Sequence, residues 1–149
     1  MQEVVSGVMI RRGRILMAQR PPTKDYAGLW ETGGGKVEGD ESHHDAIRRE
    51  LLEEFGLLIG PIKTTPLWAG EVKREGRKSV YLIYYRVLEW SGEPKLLEHQ
   101  GIGWFAYDEA IHLELTPGNT AAKQSIMDEL RAAERSGGWD LKGNGKGEL

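Results

Sequence analysis

Short runs of apolar and β-branched residues, separated by turns that contain glycine or proline, dominate the pattern along this chain. The runs at 3–11 and 15–20 flank a glycine turn and predict an opening hairpin. Two further runs, at 62–72 and 78–89, flank a turn at 74–77 and predict a second hairpin. The first half and the middle of the chain are therefore predicted to be mainly β-structure.

Helical periodicity appears between these strands and again near the end. Asp40 and Ser42 are alternative N-caps of the first helix, and Gly56 is suited to its C-terminal end. Apolar residues at i, i+4 and i+8 form one stripe along it, at Ile47, Leu51 and Phe55. A short helix is predicted over 107–112 and a longer one over 120–135.

Strands and helices in this order predict a single mixed α+β domain over residues 1–136. No internal repeat or linker divides it. The remaining residues, 137–149, are rich in glycine and poor in apolar groups, so we expect them to form a flexible C-terminal tail.

Composition narrows the class of protein. The 149 residues carry a formal net charge of −3 and no cysteine. A disulfide framework and a thiolate zinc site are therefore excluded, and no long nucleic acid is expected as a partner. No apolar stretch approaches the roughly 18 residues of a membrane span, and the first residues do not have the form of a signal peptide. These features favour a cytoplasmic location.

The segment with the most chemical information is the first predicted helix and the loop before it. Glu50, Glu53 and Glu54 stand at i, i+3 and i+4, within about 100° of arc on one helix face. Carboxylates at this spacing repel one another, so a cation is expected among them, and hard oxygen ligands suit Mg²⁺, Mn²⁺ or Ca²⁺ better than Zn²⁺. The glycines at 33–35 allow close backbone approach, and Lys36 adds a positive charge, which together suit a diphosphate group.

Each part of this segment also has a simpler interpretation. Three glutamates on a helix can form an ordinary solvated face, and three glycines an ordinary loop. The glycines are not a P-loop, because Trp30 stands where its first glycine belongs and Val37 replaces the Ser/Thr. They are not a dinucleotide-binding fingerprint, because Glu38 stands where its last glycine belongs.

Taken together, residues 35–57 resemble the Nudix box, G-x5-E-x7-R-E-U-x-E-E-x-G-U, in which U is a bulky aliphatic residue. All nine fixed positions of that pattern are filled, by Gly35, Glu41, Arg49, Glu50, Leu51, Glu53, Glu54, Gly56 and Leu57. The resemblance implies an α/β/α sandwich with a mixed β-sheet between helices. It also implies hydrolysis of nucleoside diphosphates linked to another group, with a divalent cation.

Carried over to this sequence, the resemblance implies that Glu50, Glu53 and Glu54 bind Mg²⁺, with Mn²⁺ as a substitute. The carbonyl of Gly34 or Gly35 would be a further ligand. Arg49 would orient the glutamates. Glu41 would support the helix start or the glutamates, or serve only as a first-turn acid that the helix dipole favours.

The resemblance extends outside the box to the MutT-type branch, which includes 8-oxo-dGTP and CTP pyrophosphohydrolases. The segments that carry it are 18–21, 28–31, 34–38 and 98–100. It implies that Glu98 completes the metal shell and that either Glu98 or Glu50 removes the proton from water. Lys36 is expected at the phosphates, Arg20 at the base or the phosphates, and Asn119 at the base. Arg20 has a second interpretation as a surface cation, and Asn119 as a helix N-cap.

Two positions depart from the branch pattern W-E-F-P-G-G-K. Thr32 replaces its aromatic residue and Gly33 its proline. These departures put the identity of the base in doubt more than the chemistry.

The function predicted from the sequence is a Mg²⁺-dependent nucleoside triphosphate pyrophosphohydrolase that releases nucleoside monophosphate and pyrophosphate. Its small-molecule substrate would be an oxidised dNTP such as 8-oxo-dGTP, or CTP or dCTP. One alternative is hydrolysis of a nucleotide sugar, a dinucleoside polyphosphate or capped RNA, and another is a non-catalytic nucleotide-binding regulator. A homodimer is also considered, through an exposed strand edge or the run at 81–85.

Overall fold

The computed structural model describes residues 1–135. The expected flexible tail at 137–149 lies outside the described residues. The strands are β1 (Glu3–Val8), β2 (Ile10–Arg11), β3 (Arg14–Gln19), β4 (Trp30–Glu31), β5 (Gly34–Lys36), β6 (Leu58–Ile59), β7 (Trp68–Arg74), β8 (Arg77–Arg86), β9 (Trp90–Ser91) and β10 (Gly101–Phe105). The helices are α1 (His43–Phe55), α2 (Tyr107–Ala110), α3 (Pro117–Ala121) and α4 (Lys123–Arg135).

A four-stranded mixed sheet forms the centre of the fold. Its strand order is β5-β1-β8-β7, with β1 parallel to β8 and the other pairs antiparallel. A second sheet has the order β10-β3-β2, and β4 pairs with β3. Strands β6 and β9 form a separate pair. The pairing of β1 with β5 places the glycines at 34–35 in the sheet, directly before α1.

Two hydrophobic cores lie on opposite faces of these sheets. Along β8, Ile83 and Tyr85 pack on the α1 side, whereas Leu82 and Tyr84 pack on the α4 side. Neighbouring residues of a strand point to opposite faces, so one apolar strand supplies both cores. Helices thus cover both faces of mixed sheet, which confirms the predicted α+β class and its α/β/α layering.

Helix α1 begins and ends as its sequence predicts. The Ser42 side chain accepts a hydrogen bond from the Asp45 backbone N–H at 3.0 Å, which selects Ser42 over Asp40 as the N-cap. Gly56 ends the helix in the left-handed conformation, with φ 69°. The apolar stripe is buried, and it fixes which helix face turns toward β5.

Some predicted elements differ from the structure. The opening hairpin is limited to β2 and β3, because β1 leaves it to pair with β8. The helix expected over 120–135 is two helices, separated at Ala122; α3 begins earlier, with Thr116 as its N-cap and Pro117 in its first turn.

The proposed dimer contact through the run at 81–85 is wrong. This run belongs to β8, which is hydrogen-bonded on one side to β1 and on the other to β7. It has no free edge for a second chain. Among residues 1–135, no helix combines the length and apolar character needed to cross a membrane.

Candidate active site

The glycines before α1 bring the backbone of β5 against the carboxylates of the helix. A Cβ added to Gly35 would overlap the Glu50 carboxylate, and one added to Gly33 would lie 2.9 Å from Glu54 Oε1. Glycine is therefore required at these two positions for the helix to sit this close to the sheet. The close approach places two carboxylates beside backbone N–H and C=O groups.

Glu50 and Glu54 form an inner carboxylate pair at this contact. Glu54 is only 5% exposed, and its Oε2 accepts a long hydrogen bond, 3.4 Å, from the Gly34 N–H. Its Oε1 is buried and has no hydrogen-bond partner. Burial, followed by a hydrogen bond and the negative charge of Glu50, raises the pKa of Glu54 well above its usual value. Within residues 1–135, Glu54 therefore has no positively charged partner.

Arg49 on α1 and Glu41 in the loop directly before it form an outer ion-pair cluster. Arg49 donates to both Glu41 oxygens, at 2.8 and 2.9 Å, to Glu50 Oε2 at 2.9 Å and to the Lys36 carbonyl. The hydrogen bond from Arg49 lowers the pKa of Glu41 to about 2. Arg49 thus orients Glu50, and Glu41 supports Arg49 from the helix start.

The remaining predicted metal ligands lie apart from the inner pair. Glu53 is 51% exposed, with one oxygen 3.6 Å from Arg49. Glu98 is exposed on the loop before β10 and makes no hydrogen bond or ion pair within the described part of the chain. Over residues 1–135 no three acidic or histidine side chains are close enough together to hold a metal ion. Arg49 occupies the position of a counter-charge between Glu50 and Glu53.

A cavity of about 200 Å³ opens next to these glycines. Its walls include Gly34, Gly35, Arg20, Thr32 and Asn119. Ligand pockets are typically about 300–1,000 Å³, so this cavity is large enough to hold only part of a typical small-molecule ligand. Lys36 is not part of the wall: it is exposed on β5, beyond Gly35.

Two of the residues predicted to bind substrate line the cavity, but both are already hydrogen-bonded to other protein groups. Arg20 donates to Asp25 at 2.6 Å and to Glu31 at 3.2 Å. Asn119, 3% exposed, accepts hydrogen bonds from the Thr32 N–H at 3.2 Å and from the Tyr84 hydroxyl at 3.0 Å. The helix-cap hydroxyl of α3 belongs to Thr116, so Asn119 is not the N-cap.

Glu31 and His99 were given no firm role by the sequence. His99, with a side chain 6% exposed, lies 3.1 Å from Glu31 Oε2 through Nε2 and stacks on Phe55. Glu31 contributes to the raised pKa of Glu54, so it belongs to the inner acidic region. The only signal in the sequence was that Glu31 and His99 each lie in a segment that resembles the MutT-type branch, at 28–31 and 98–100. Their contact could not be predicted, because only the fold brings the two segments together.

Comparison with known proteins identifies the family. A family model described as NUDIX domain matches residues 1–129. The chain belongs to the NUDIX domain family. It is 39% identical over 134 residues to a CTP pyrophosphohydrolase of Escherichia coli, covering 89% of this chain and 96% of that protein. It is 32% identical over 118 residues to a putative 8-oxo-dGTP diphosphatase 2 of Mycobacterium tuberculosis, covering 79% and 82%.

A solved structure gives the same result for the Nudix fold. A MutT NUDIX hydrolase from Burkholderia pseudomallei superposes with a TM-score of 0.71 at 27% identity, over 84% of this chain and 95% of that one. The chain is therefore a Nudix hydrolase, an enzyme class that generally uses a divalent metal ion.

The inner pair fits such an ion. A buried carboxylate oxygen without a partner and a second carboxylate beside it supply hard oxygen ligands. Burial and the neighbouring Glu50 raise the pKa of Glu54, so a cation bound here would favour its charged form.

Proposed function

We propose that this Nudix hydrolase is a Mg²⁺-dependent nucleoside triphosphate pyrophosphohydrolase that produces nucleoside monophosphate and pyrophosphate. The substrates named for its relatives, CTP and 8-oxo-dGTP, support a nucleoside triphosphate and define two base classes to test. The proposed catalytic domain is 1–136, acting on the nucleotide pool of the cytoplasm.

One observation carries the proposal: the inner carboxylate pair and the cavity share a wall. Gly34 and Gly35 contact Glu54 and Glu50 and also line the cavity, whose wall includes Asn119. A nucleotide whose base lies near Asn119 would therefore direct its phosphates toward the carboxylates. This arrangement suits cleavage within the phosphate chain.

The roles of the residues follow from their positions. Glu50, Glu53, Glu54 and the carbonyl of Gly34 or Gly35 would hold Mg²⁺. When bound, the ion neutralises phosphate charge and lowers the pKa of water. Glu53 has to turn inward from its exposed position to take part.

The remaining chemistry is assigned to side chains around this group. Glu98 or Glu50 accepts the proton of the attacking water, whose oxygen bonds to phosphorus as the P–O bond to pyrophosphate breaks. Lys36, exposed on β5 next to Gly35, and Arg20 in the cavity wall would offer positive charge to the phosphates. Asn119 contacts the base.

The experiment is a substrate panel with Mg²⁺, with pyrophosphate measured directly and monophosphate by chromatography. Pyrophosphate and monophosphate in equal amounts from one or more nucleoside triphosphates is the expected result. Release of monophosphates from a nucleotide sugar or dinucleoside polyphosphate alone would contradict it, and so would binding without turnover. Omission of Mg²⁺, with EDTA present, is the control.

A further inference from the structure

A chain of buried polar groups crosses the cavity wall behind Asn119. The Ser6 hydroxyl lies 2.6 Å from the Thr32 hydroxyl and donates to the Gly33 carbonyl at 2.7 Å. Thr32 in turn meets Asn119, which also meets the Tyr84 hydroxyl. These groups come from β1, the segment after β4, β8 and α3, so the chain connects four separate parts of the fold.

The orientation of the Asn119 amide follows from its partners. The Thr32 backbone N–H can only donate, so the atom 3.2 Å from it must be the Asn119 oxygen, Oδ1. The Tyr84 hydroxyl, fully buried, donates to the same oxygen at 3.0 Å. An amide oxygen has two lone pairs, and both are used. The oxygen therefore cannot accept a further hydrogen bond from a ligand.

The amino group of Asn119, unlike its oxygen, has no hydrogen-bond partner in the described part of the chain, although Asn119 is nearly buried and lines the cavity. Because Asn119 lines the cavity, this amino group is available to donate to a ligand acceptor there. Asn119 can therefore offer a ligand in the cavity a hydrogen-bond donor and no acceptor.

Gly118 allows the tyrosine to reach the amide. A Cβ at this position would lie 3.2 Å from the Tyr84 hydroxyl and would overlap the Leu82 side chain. The start of α3 therefore rests directly on β8, and the amide is held from two sides.

We propose that Tyr84 and Thr32 are positioning residues that hold Asn119 as a fixed donor, so that the cavity selects bases presenting a hydrogen-bond acceptor and rejects an N–H at the same place. This inference rests on the proposed function. It narrows the substrate class to bases read through an acceptor atom, such as N3 of cytosine or N7 of an unoxidised purine.

The test uses two substrate pairs that differ by an acceptor or a donor at one ring nitrogen: CTP with UTP, and dGTP with 8-oxo-dGTP. Within the pair that the wild type hydrolyses faster, we expect it to prefer the nucleotide whose ring nitrogen is an acceptor, which is CTP over UTP or dGTP over 8-oxo-dGTP. In Tyr84→Phe the freed oxygen can accept from a ligand, and the preference in kcat/KM should fall about fivefold, through KM rather than kcat. Tyr81→Phe, a 40% exposed tyrosine on the same strand and outside the cavity wall, should leave it unchanged.

The outcomes separate the inference from the function it rests on. Turnover with an unchanged preference in Tyr84→Phe, a change in kcat alone, or a wild-type preference for the donor member overturns the inference and leaves the function intact. No pyrophosphate from any triphosphate overturns both. If Tyr84→Phe does not fold, Asn119→Asp decides: it offers only oxygens, so retention of the acceptor preference overturns the inference.

Discussion

Carboxylates on helix α1 and in the loop directly before it lie in two contrasting environments. On the outer side, Glu41 meets Arg49 in two short hydrogen bonds, and the pKa of Glu41 is lowered to about 2. On the inner side, Glu54 meets another carboxylate and a weak backbone donor, and its pKa is raised. The carboxylate anion is thus stabilised at Glu41 by the hydrogen bond from Arg49 and disfavoured at Glu54 by burial and by the neighbouring Glu50.

This contrast separates structural from functional carboxylates. The outer cluster is complete within the protein and stabilises the loop before α1. The inner pair costs stability in the cation-free protein, which is typical of groups kept for activity. An added divalent cation should therefore act on the inner pair and leave the outer cluster unchanged.

The largest expected effect is on catalysis by the inner pair. Glu54→Gln keeps the size of the side chain and removes its charge, so kcat should fall by about 100-fold or more. Pyrophosphate release at saturating substrate measures it, and circular dichroism checks the fold. Glu53→Gln should also lower kcat, since Glu53 is assigned to the same ion. Near-wild-type turnover in both variants would refute the metal assignment.

Arg49 connects the two environments, so its replacement should affect both. Arg49→Lys cannot make the paired hydrogen bonds to Glu41 while holding Glu50. We expect the free energy of unfolding to fall by about 1 kcal/mol, which urea denaturation measures. We also expect kcat to fall roughly tenfold, which steady-state kinetics measures. Arg14→Lys is the control and should change neither, because Arg14 is exposed on β3 and its side chain makes no hydrogen bond within residues 1–135.

The inner pair should give stability an unusual pH dependence. The pKa of Glu54 is higher in the folded protein than in the unfolded chain, so the folded state binds more protons and its stability falls as pH rises above about 4.5. Thermal melts in EDTA at several pH values should show this fall, and Glu54→Gln should reduce it. Mg²⁺ should raise the midpoint more at high pH. An equal Mg²⁺ effect in Glu54→Gln would contradict this explanation.

The smallest effect concerns the outer cluster. The lowered pKa of Glu41 gives stability that is present above about 4.5 and is lost as pH falls toward about 2. In Glu41→Gln, the stability of the protein should therefore depend less on pH between about 4.5 and about 2. Its stability at neutral pH should change little, and the stabilisation by Mg²⁺ should not change. A Mg²⁺ response lost in this variant would show that the two environments are not separate.

The sequence by itself determined α1, its ends and the family. Ser42, Gly56 and the buried stripe act within one or two turns, where helix geometry fixes which residues meet. The nine positions of the Nudix box lie in the same segment, so the pairing of Glu50 with Glu54 and the support of Arg49 by Glu41 follow from short spacing.

Only the tertiary structure decided how the cavity is built. The contact of Thr32 with Asn119 joins residues 87 positions apart, and that of His99 with Glu31 joins residues 68 apart. Such contacts depend on strand order and register, and the parallel pairing of β1 with β8 replaced the long hairpin that local pattern predicted. The direction of the Asn119 amide and the separation of Glu53 from the inner pair come from the same source: they are set by partners that local spacing cannot identify.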